Sequence, residues 1–160
     1  GFGKTTFCKI LAGYEQPDEG QVLLDGKPLS EYKGYCPVQL IWQHPQEAVN
    51  PRRKMKTVLE EGGVLDERLI HGLGIEKEWM ERYPGELSGG ELQRFCIARA
   101  LGEKTSFLLA DEITAMLDLI TQSQIWNFLL EEVRSREIGL LVVSHSEPLL
   151  QRICTGRIQL

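Results

Sequence analysis

The chain has 160 residues, 42% of them hydrophobic and 26% charged, with a formal net charge of −5. That size and balance suit one globular domain with a real core, and the acidity argues against a nucleic-acid binder, which carries a basic footprint. No apolar run approaches the roughly 18 residues of a membrane span, so work at a membrane would need docking on a protein that crosses it.

The opening stretch GFGKTT places Gly3, Lys4 and Thr5 in the last three positions of a G-x-x-x-x-G-K-[ST] loop, whose backbone N–H groups wrap phosphates. The first Gly of that pattern falls before Gly1, so the expectation is a fragment that begins inside its own loop. KTTFCKILAG then has helical spacing, with Phe7, Ile10 and Leu11 on one face and Gly13 as a stop. GQVLLDGKPL alternates around Asp25-Gly26 and predicts a hairpin. PVQLIWQ predicts a short apolar strand, followed by a polar loop from Pro45 to Pro51. Residues 57–82 read as mostly helical, broken at Gly62-Gly63 and at Gly72 and Gly74. YPGELSGG breaks the chain before a helix from Glu91 to about Leu101, and SFLLADE predicts a buried strand ending in two acids. A helix is expected over 120–136 with Ile120, Ile125, Phe128, Leu129 and Val133 inward. IGLLVVSHS predicts a last buried strand ending at a histidine, and EPLLQRIC a final short helix. Apolar strands alternating with helices predict a parallel sheet covered on both faces. The polar residues crowd the carboxyl ends of those strands, where open α/β sheets place ligands.

The four cysteines, Cys8, Cys36, Cys96 and Cys154, are scattered without a C-x-x-C pair, which offers neither a zinc site nor a disulfide framework. Cys8 and Cys96 fall in apolar helical settings and read as core thiols, and the expected compartment is the cytosol. One basic cluster stands out, Arg52-Arg53-Lys54 with Lys56.

Chemistry concentrates in four places. An apolar strand ending in Asp111-Glu112 suits phosphoryl transfer, one carboxylate holding Mg²⁺ and the next deprotonating a water, although a strand meeting a charged loop looks the same. Ser88-x-x-Glu91 is a capping box that needs no function. Gly89 and Gly90, however, strip side chains from that helix N-terminus, where N–H groups and the dipole favour an anion. Gln43 and His145 each end an apolar strand within reach of a ligand.

Together the order Lys4, Gln43, Ser88, Asp111-Glu112, Asp118, His145 resembles the ATP-binding cassette (ABC) ATPases, the nucleotide-binding subunits of ABC transporters, over essentially the whole chain. The resemblance makes GFGKTT the end of Walker A, IWQHP the Q-loop, LSGGELQR the signature, FLLADE Walker B, AMLD the D-loop and VVSHS the switch-histidine strand. It implies a P-loop NTPase-type α/β fold: a parallel sheet flanked by helices, with a core from 1–43 and 104–160 and a small helical subdomain, 44–103, carrying the signature. ATP and Mg²⁺ are the implied ligands. Gly1 to Gly3 would cradle the β-phosphate, Lys4 would bridge β and γ, Thr5 would ligate the metal and Thr6 would reach the α-phosphate. Asp111 would hold the metal through water, Glu112 would be the general base, Gln43 would sense metal and water, and His145 would hold the γ-phosphate. Ser88, Gly89 and Gly90 would act on the nucleotide of a second cassette, homologous or identical, with Asp118 crossing the interface.

Two positions depart from the family pattern: Ile113 stands where Pro usually follows the Walker B Glu, and Ala115-Met116-Leu117-Asp118 where S-A-L-D is common. QHPQEAVNPRRKM and RYPGELSGGELQR resemble the peptide- and nickel-importer branch. That branch implies transmembrane permease subunits, an extracytoplasmic solute-binding protein and a place on the cytoplasmic face of the membrane. The basic NPRRK would then lie near the permease's coupling helix. Two alternatives stay open: a soluble ABC ATPase of DNA repair, chromosome structure or translation, and a non-hydrolysing ATP-binding module.

Overall fold

The computed structural model describes residues 3–63 and 66–158. Helix α1, Lys4–Leu11, starts directly after Gly3 and ends at Ala12, with Gly13 turning away at φ 78°. Strands β1 (Leu23–Leu24) and β2 (Lys27–Pro28) pair antiparallel across Asp25 and Gly26, at φ 52° and 76°. Positive φ at both turn positions is what a two-residue hairpin of matching twist requires.

Strands β3 (Val38–Ile41), β4 (Phe107–Asp111) and β5 (Gly139–Val143) form a parallel sheet in the order β3-β4-β5. The register pairs Ile41 with Ala110 and Asp111 with Val143, so the three strands end nearly level. Side chains alternate between two apolar clusters, as a strand's period of two demands. Val38, Leu40 and Leu109 join Cys8 and Leu29 on the α1 face, whereas Ile41, Leu108 and Ala110 join the larger cluster on the other. Both faces of the sheet are therefore covered. Central β4 is the more deeply buried; β5 was expected to be buried but is mostly half-buried, because among the described residues it is an edge.

Between β3 and β4 the described chain makes α2 (Met55–Glu61), α3 (Glu67–Gly72), α4 (Gly89–Ala100) and three 3₁₀ turns, one before α2 and two between α3 and α4. The predicted breaks at Gly62-Gly63 and Gly72 coincide with the ends of α2 and α3. The larger cluster joins Met55, Val58 and Leu59 of α2, Leu69 of α3 and Phe95 and Ile97 of α4 to Leu108 of the sheet. Helix α5 (Leu119–Ser135) closes it with Ile125, Trp126 and Leu129, and α6 (Glu147–Ile153) follows β5. Two contacts bind α3 to α5. Arg68 Nη1 and Nη2 donate to the carboxylate of fully buried Glu132, at 2.5 and 3.0 Å. Gly72 packs so closely on the Phe128 ring that a Cβ would collide with it.

The expected inward face of α5 needs one correction. Ile120 is 73% exposed, because the first turn of α5 projects past the core, and Trp126 and Glu132 are buried in its place. Cys8 and Cys96 are core thiols, and burial pushes both up to about 11. No helix among the described residues is long and apolar enough to cross a membrane.

Candidate active site

The carboxyl ends of the three parallel strands lie side by side, with a polar residue at or within two residues of each end. Asp111 is the last residue of β4 and is buried. The Thr5 hydroxyl, in the first turn of α1, donates to Asp111 Oδ2 at 2.8 Å. The bond ties the first turn of α1 to the end of the central strand. Gly3 adopts φ 75°, and no atom of the described residues lies within 4 Å of where its Cβ would stand, so a side chain there is disfavoured by backbone conformation and not by crowding. Among the described residues no side chain caps α1, and the positive end of its dipole lies at Gly3 to Thr5.

Glu112 continues the ladder, its N–H donating to Val143 O at 3.0 Å, and then turns at φ 51°. A left-handed backbone costs a non-glycine residue roughly 1–2 kcal/mol, a strain that clusters at functional sites. Its side chain is nearly buried, and Oε1 has no hydrogen-bond partner. His145 Nε2 stands 3.5 Å from that oxygen on an otherwise exposed ring, an ion-pair distance without hydrogen-bond geometry. His145 is two residues past β5, and Gln43, exposed, two residues past β3. Lys4 is half-buried in α1 and Thr6 exposed beside it; Gly1 lies outside the described residues. The structure thus joins Thr5, Asp111, Glu112 and His145 by contact and sets Gln43 at the end of the neighbouring strand.

Ser88 to Gly90 form a separate feature at the start of α4. Ser88 Oγ accepts from Glu91 N at 3.2 Å while Glu91 Oε2 accepts from Ser88 N at 2.7 Å, the expected capping box. Gly90 has a further reason to be glycine: a Cβ would come within 2.8 Å of Leu117 Cδ2. That contact packs the loop before Asp118 against the start of α4, and no sequence pattern signals it. Asp118 caps α5, accepting from Ile120 N and Thr121 N at 3.0 Å each. Thr121 holds its carboxyl below the usual range, through its side chain first and its N–H next, with Ile120 N–H assisting. Met116, Leu119 and Ile120 around it are 65%, 82% and 73% exposed, an apolar strip beside an acid.

A magnesium nucleotide fits these residues. Mg²⁺ prefers hard oxygens and is held by one or two protein groups plus phosphates and water. Thr5 and Asp111 offer that pair, and no set of three or more His, Cys, Asp or Glu side chains able to cage a metal occurs among the described residues. The orphaned Oε1 of Glu112 is an acceptor with room for one more donor.

Comparison with known proteins identifies the family and the fold. Residues 1–115 match the ABC transporter family. The chain is 34% identical to the nickel import ATP-binding protein NikE of Rhodospirillum rubrum, over 96% of this chain and 62% of that protein. It is 30% identical to the oligopeptide transport ATP-binding protein OppF of Streptococcus mutans, over 96% of this chain and 56% of the relative. The chain therefore spans about three fifths of the length of these curated relatives. Among solved structures, the ATP-binding cassette MJ0796, in a dimeric post-hydrolysis state bound to ADP and Pi, superposes with a TM-score of 0.78 at 23% identity, covering 92% of this chain and 72% of that one. The fold is accordingly the P-loop NTPase type that the family resemblance implies, with the parallel sheet expected from the alternating strands and helices. On its sequence match over residues 1–115 and its parallel-sheet architecture, this chain is a member of the ABC transporter family.

Proposed function

We propose that the protein is the ATP-binding and hydrolysing subunit of an importer for dipeptides, oligopeptides or nickel. The observation that carries the chemistry is the set at the end of β4: Thr5 bonded to Asp111, and next to it a buried Glu112 whose Oε1 lacks a donor. A carboxylate that is nearly buried yet still has a vacant acceptor site is well placed to take a proton from an attacking water. The branch is supported by relatives named for import of nickel, glutathione and oligopeptides, at 34%, 33% and 30% identity.

In this reading the backbone from Gly1 to Gly3 cradles the β-phosphate, Lys4 spans β and γ, and Thr6 reaches α. Thr5, Asp111 (through water) and Gln43 would hold Mg²⁺, which would supply charge neutralisation at the phosphates. Glu112 accepts the proton of the attacking water, and His145, 3.5 Å from it, contacts the γ-phosphate from the exposed side. The two helical ends are used in trans: Ser88, Gly89 and Gly90 meet the nucleotide of a second cassette, and Asp118 crosses to it. The exposed Met116, Leu119 and Ile120 support this placement, since they give the D-loop an apolar strip to bury. Catalysis is then chiefly positioning and charge stabilisation. Residues 1–43 and 104–160 act as the nucleotide-binding core and 44–103 as the helical subdomain. The complex comprises the second cassette, two permeases and a solute-binding protein, on the cytoplasmic face of the membrane.

The test is reconstitution of the full-length protein with its native membrane partners in proteoliposomes. ATP turnover stimulated by a solute-binding protein loaded with a peptide or Ni²⁺ supports the importer. Turnover stimulated by DNA or ribosomes, with no permease recovered, would replace it by a soluble ABC ATPase.

A further inference from the structure

Helix α4 does more than present Ser88 at its start. Gln93 and Cys96, three residues apart and so on one face of α4, both point at the chain leaving β3. Gln93 Nε2 donates to Trp42 O at 3.2 Å, and Cys96 Sγ donates to Pro45 O at 3.8 Å. Those two carbonyls bracket Gln43 and His44, so α4 grips the Gln43 loop at both ends. Gln93 is 3% exposed among Leu92, Phe95 and Cys96, a setting in which packing alone would select a leucine. Its Oε1 is buried with no partner, which makes an amide there unfavourable except for the bond its Nε2 makes. The Trp42 ring is also held by α1 and the turn that follows it. Tyr14 meets it edge-on at 5.2 Å between centroids, and the Lys9 ammonium lies 5.3 Å from its centre. Trp42 is thereby a junction between the helix that carries Lys4 and Thr5, the loop that carries Gln43, and the helix capped by Ser88.

We propose that Gln93 is a positioning residue that fastens the Gln43 loop to α4, so that Gln43 and the Ser88–Gly90 turn move as one body relative to the end of β4. The fastening itself is independent of the ATPase reading; its catalytic consequence rests on that reading. Gln93→Leu keeps the volume, removes the orphan acceptor and deletes the bond to Trp42.

The experiment compares wild-type and Gln93→Leu full-length protein by hydrogen exchange, thermal unfolding and steady-state ATP hydrolysis with the partner cassette. The expected result is exchange about tenfold faster for amides of 42–47 alone, with an unchanged or higher Tm. The accompanying kcat is about tenfold lower at an unchanged KM for ATP. Gln93→Asn, too short to reach Trp42 O, should speed exchange in the same amides and lower kcat likewise, but with a lower Tm because its buried amide is left unpaired. Unchanged exchange in 42–47, or acceleration spread evenly over α4 and α5 with a lowered Tm, would overturn the proposal and leave Gln93 a packing residue. If exchange rises locally but wild type does not hydrolyse ATP, the fastening stands and the ATPase reading falls.

Discussion

Thr5 Oγ1 and Asp111 Oδ2 are 2.8 Å apart, although 106 residues separate them in the chain. The bond brings the first turn of α1 to the end of the central strand, and both atoms are of the kind that a magnesium ion selects. Asp111→Asn keeps the shape and the contact with Thr5 while removing the charge. Mg²⁺-ATP should then bind about 10- to 100-fold more weakly, the range for outer-shell partners of a metal, while metal-free ATP binding changes little. Titration of a fluorescent ATP analogue with and without Mg²⁺, in the full-length protein, separates the two.

The α3–α5 contacts make a stability prediction. Arg68→Met leaves buried Glu132 without its bidentate partner. A broken buried pair costs about 3–5 kcal/mol, and here somewhat less, about 2–3 kcal/mol, is expected because Arg68 itself is more than half exposed. Adding Glu132→Met to that background should recover most of the loss in a urea melt. Unequal recovery would mean that Glu132 serves something other than Arg68.

Gly72→Ala should also destabilise, by about 1–3 kcal/mol, because the added methyl meets the Phe128 ring and not a yielding side-chain tip. The helix-propensity gain from replacing glycine, about 1 kcal/mol, works against it. Combining Gly72→Ala with Phe128→Leu should cost less than the sum of the two, read from the same melts.

Asp118 gives a pH signature. Its folded carboxyl is held below the usual range by Thr121 and by the first N–H groups of α5. The cap therefore contributes fully above the unfolded carboxyl's range and is lost as pH falls through the folded one. The stability advantage of wild type over Asp118→Ala should shrink on acidification from about pH 5 to pH 3, followed by thermal melts. Asp118→Asn, which caps without titrating, should not lose its advantage in that window.

Much of the fold was legible because its signals are local. Asp25-Gly26 demands a turn that only positive φ supplies, and Gly62-Gly63 and Gly72 punctuate helices whatever surrounds them. The ends of β3, β4 and β5 were legible for a related reason: an apolar run that stops at Gln43, Asp111-Glu112 or His145 marks both the strand and the residue beyond it. What could not be read depends on partners distant in sequence. Glu132 looks like an outward charge until Arg68, 64 residues upstream, reaches it. Ile120 fits the helical period of an inward face, yet the first turn of α5 overshoots the core. Gly90 reads as an anion-binding glycine, and the structure adds a packing reason in Leu117. Gln93 and Trp42 belong to no periodic signal, since one is an amide in a core and the other an indole at a strand end.

The central claim, that Glu112 is the base of an ATP-hydrolysing cassette, is tested most directly by Glu112→Gln in the full-length protein with its partner cassette. The variant keeps the side chain's shape and its place beside His145. The account predicts unchanged ATP binding, with turnover falling by about 10²- to 10⁴-fold, the usual contribution of a positioned base. Turnover within a few-fold of wild type would contradict it, and the proton would then have to leave the attacking water by another route.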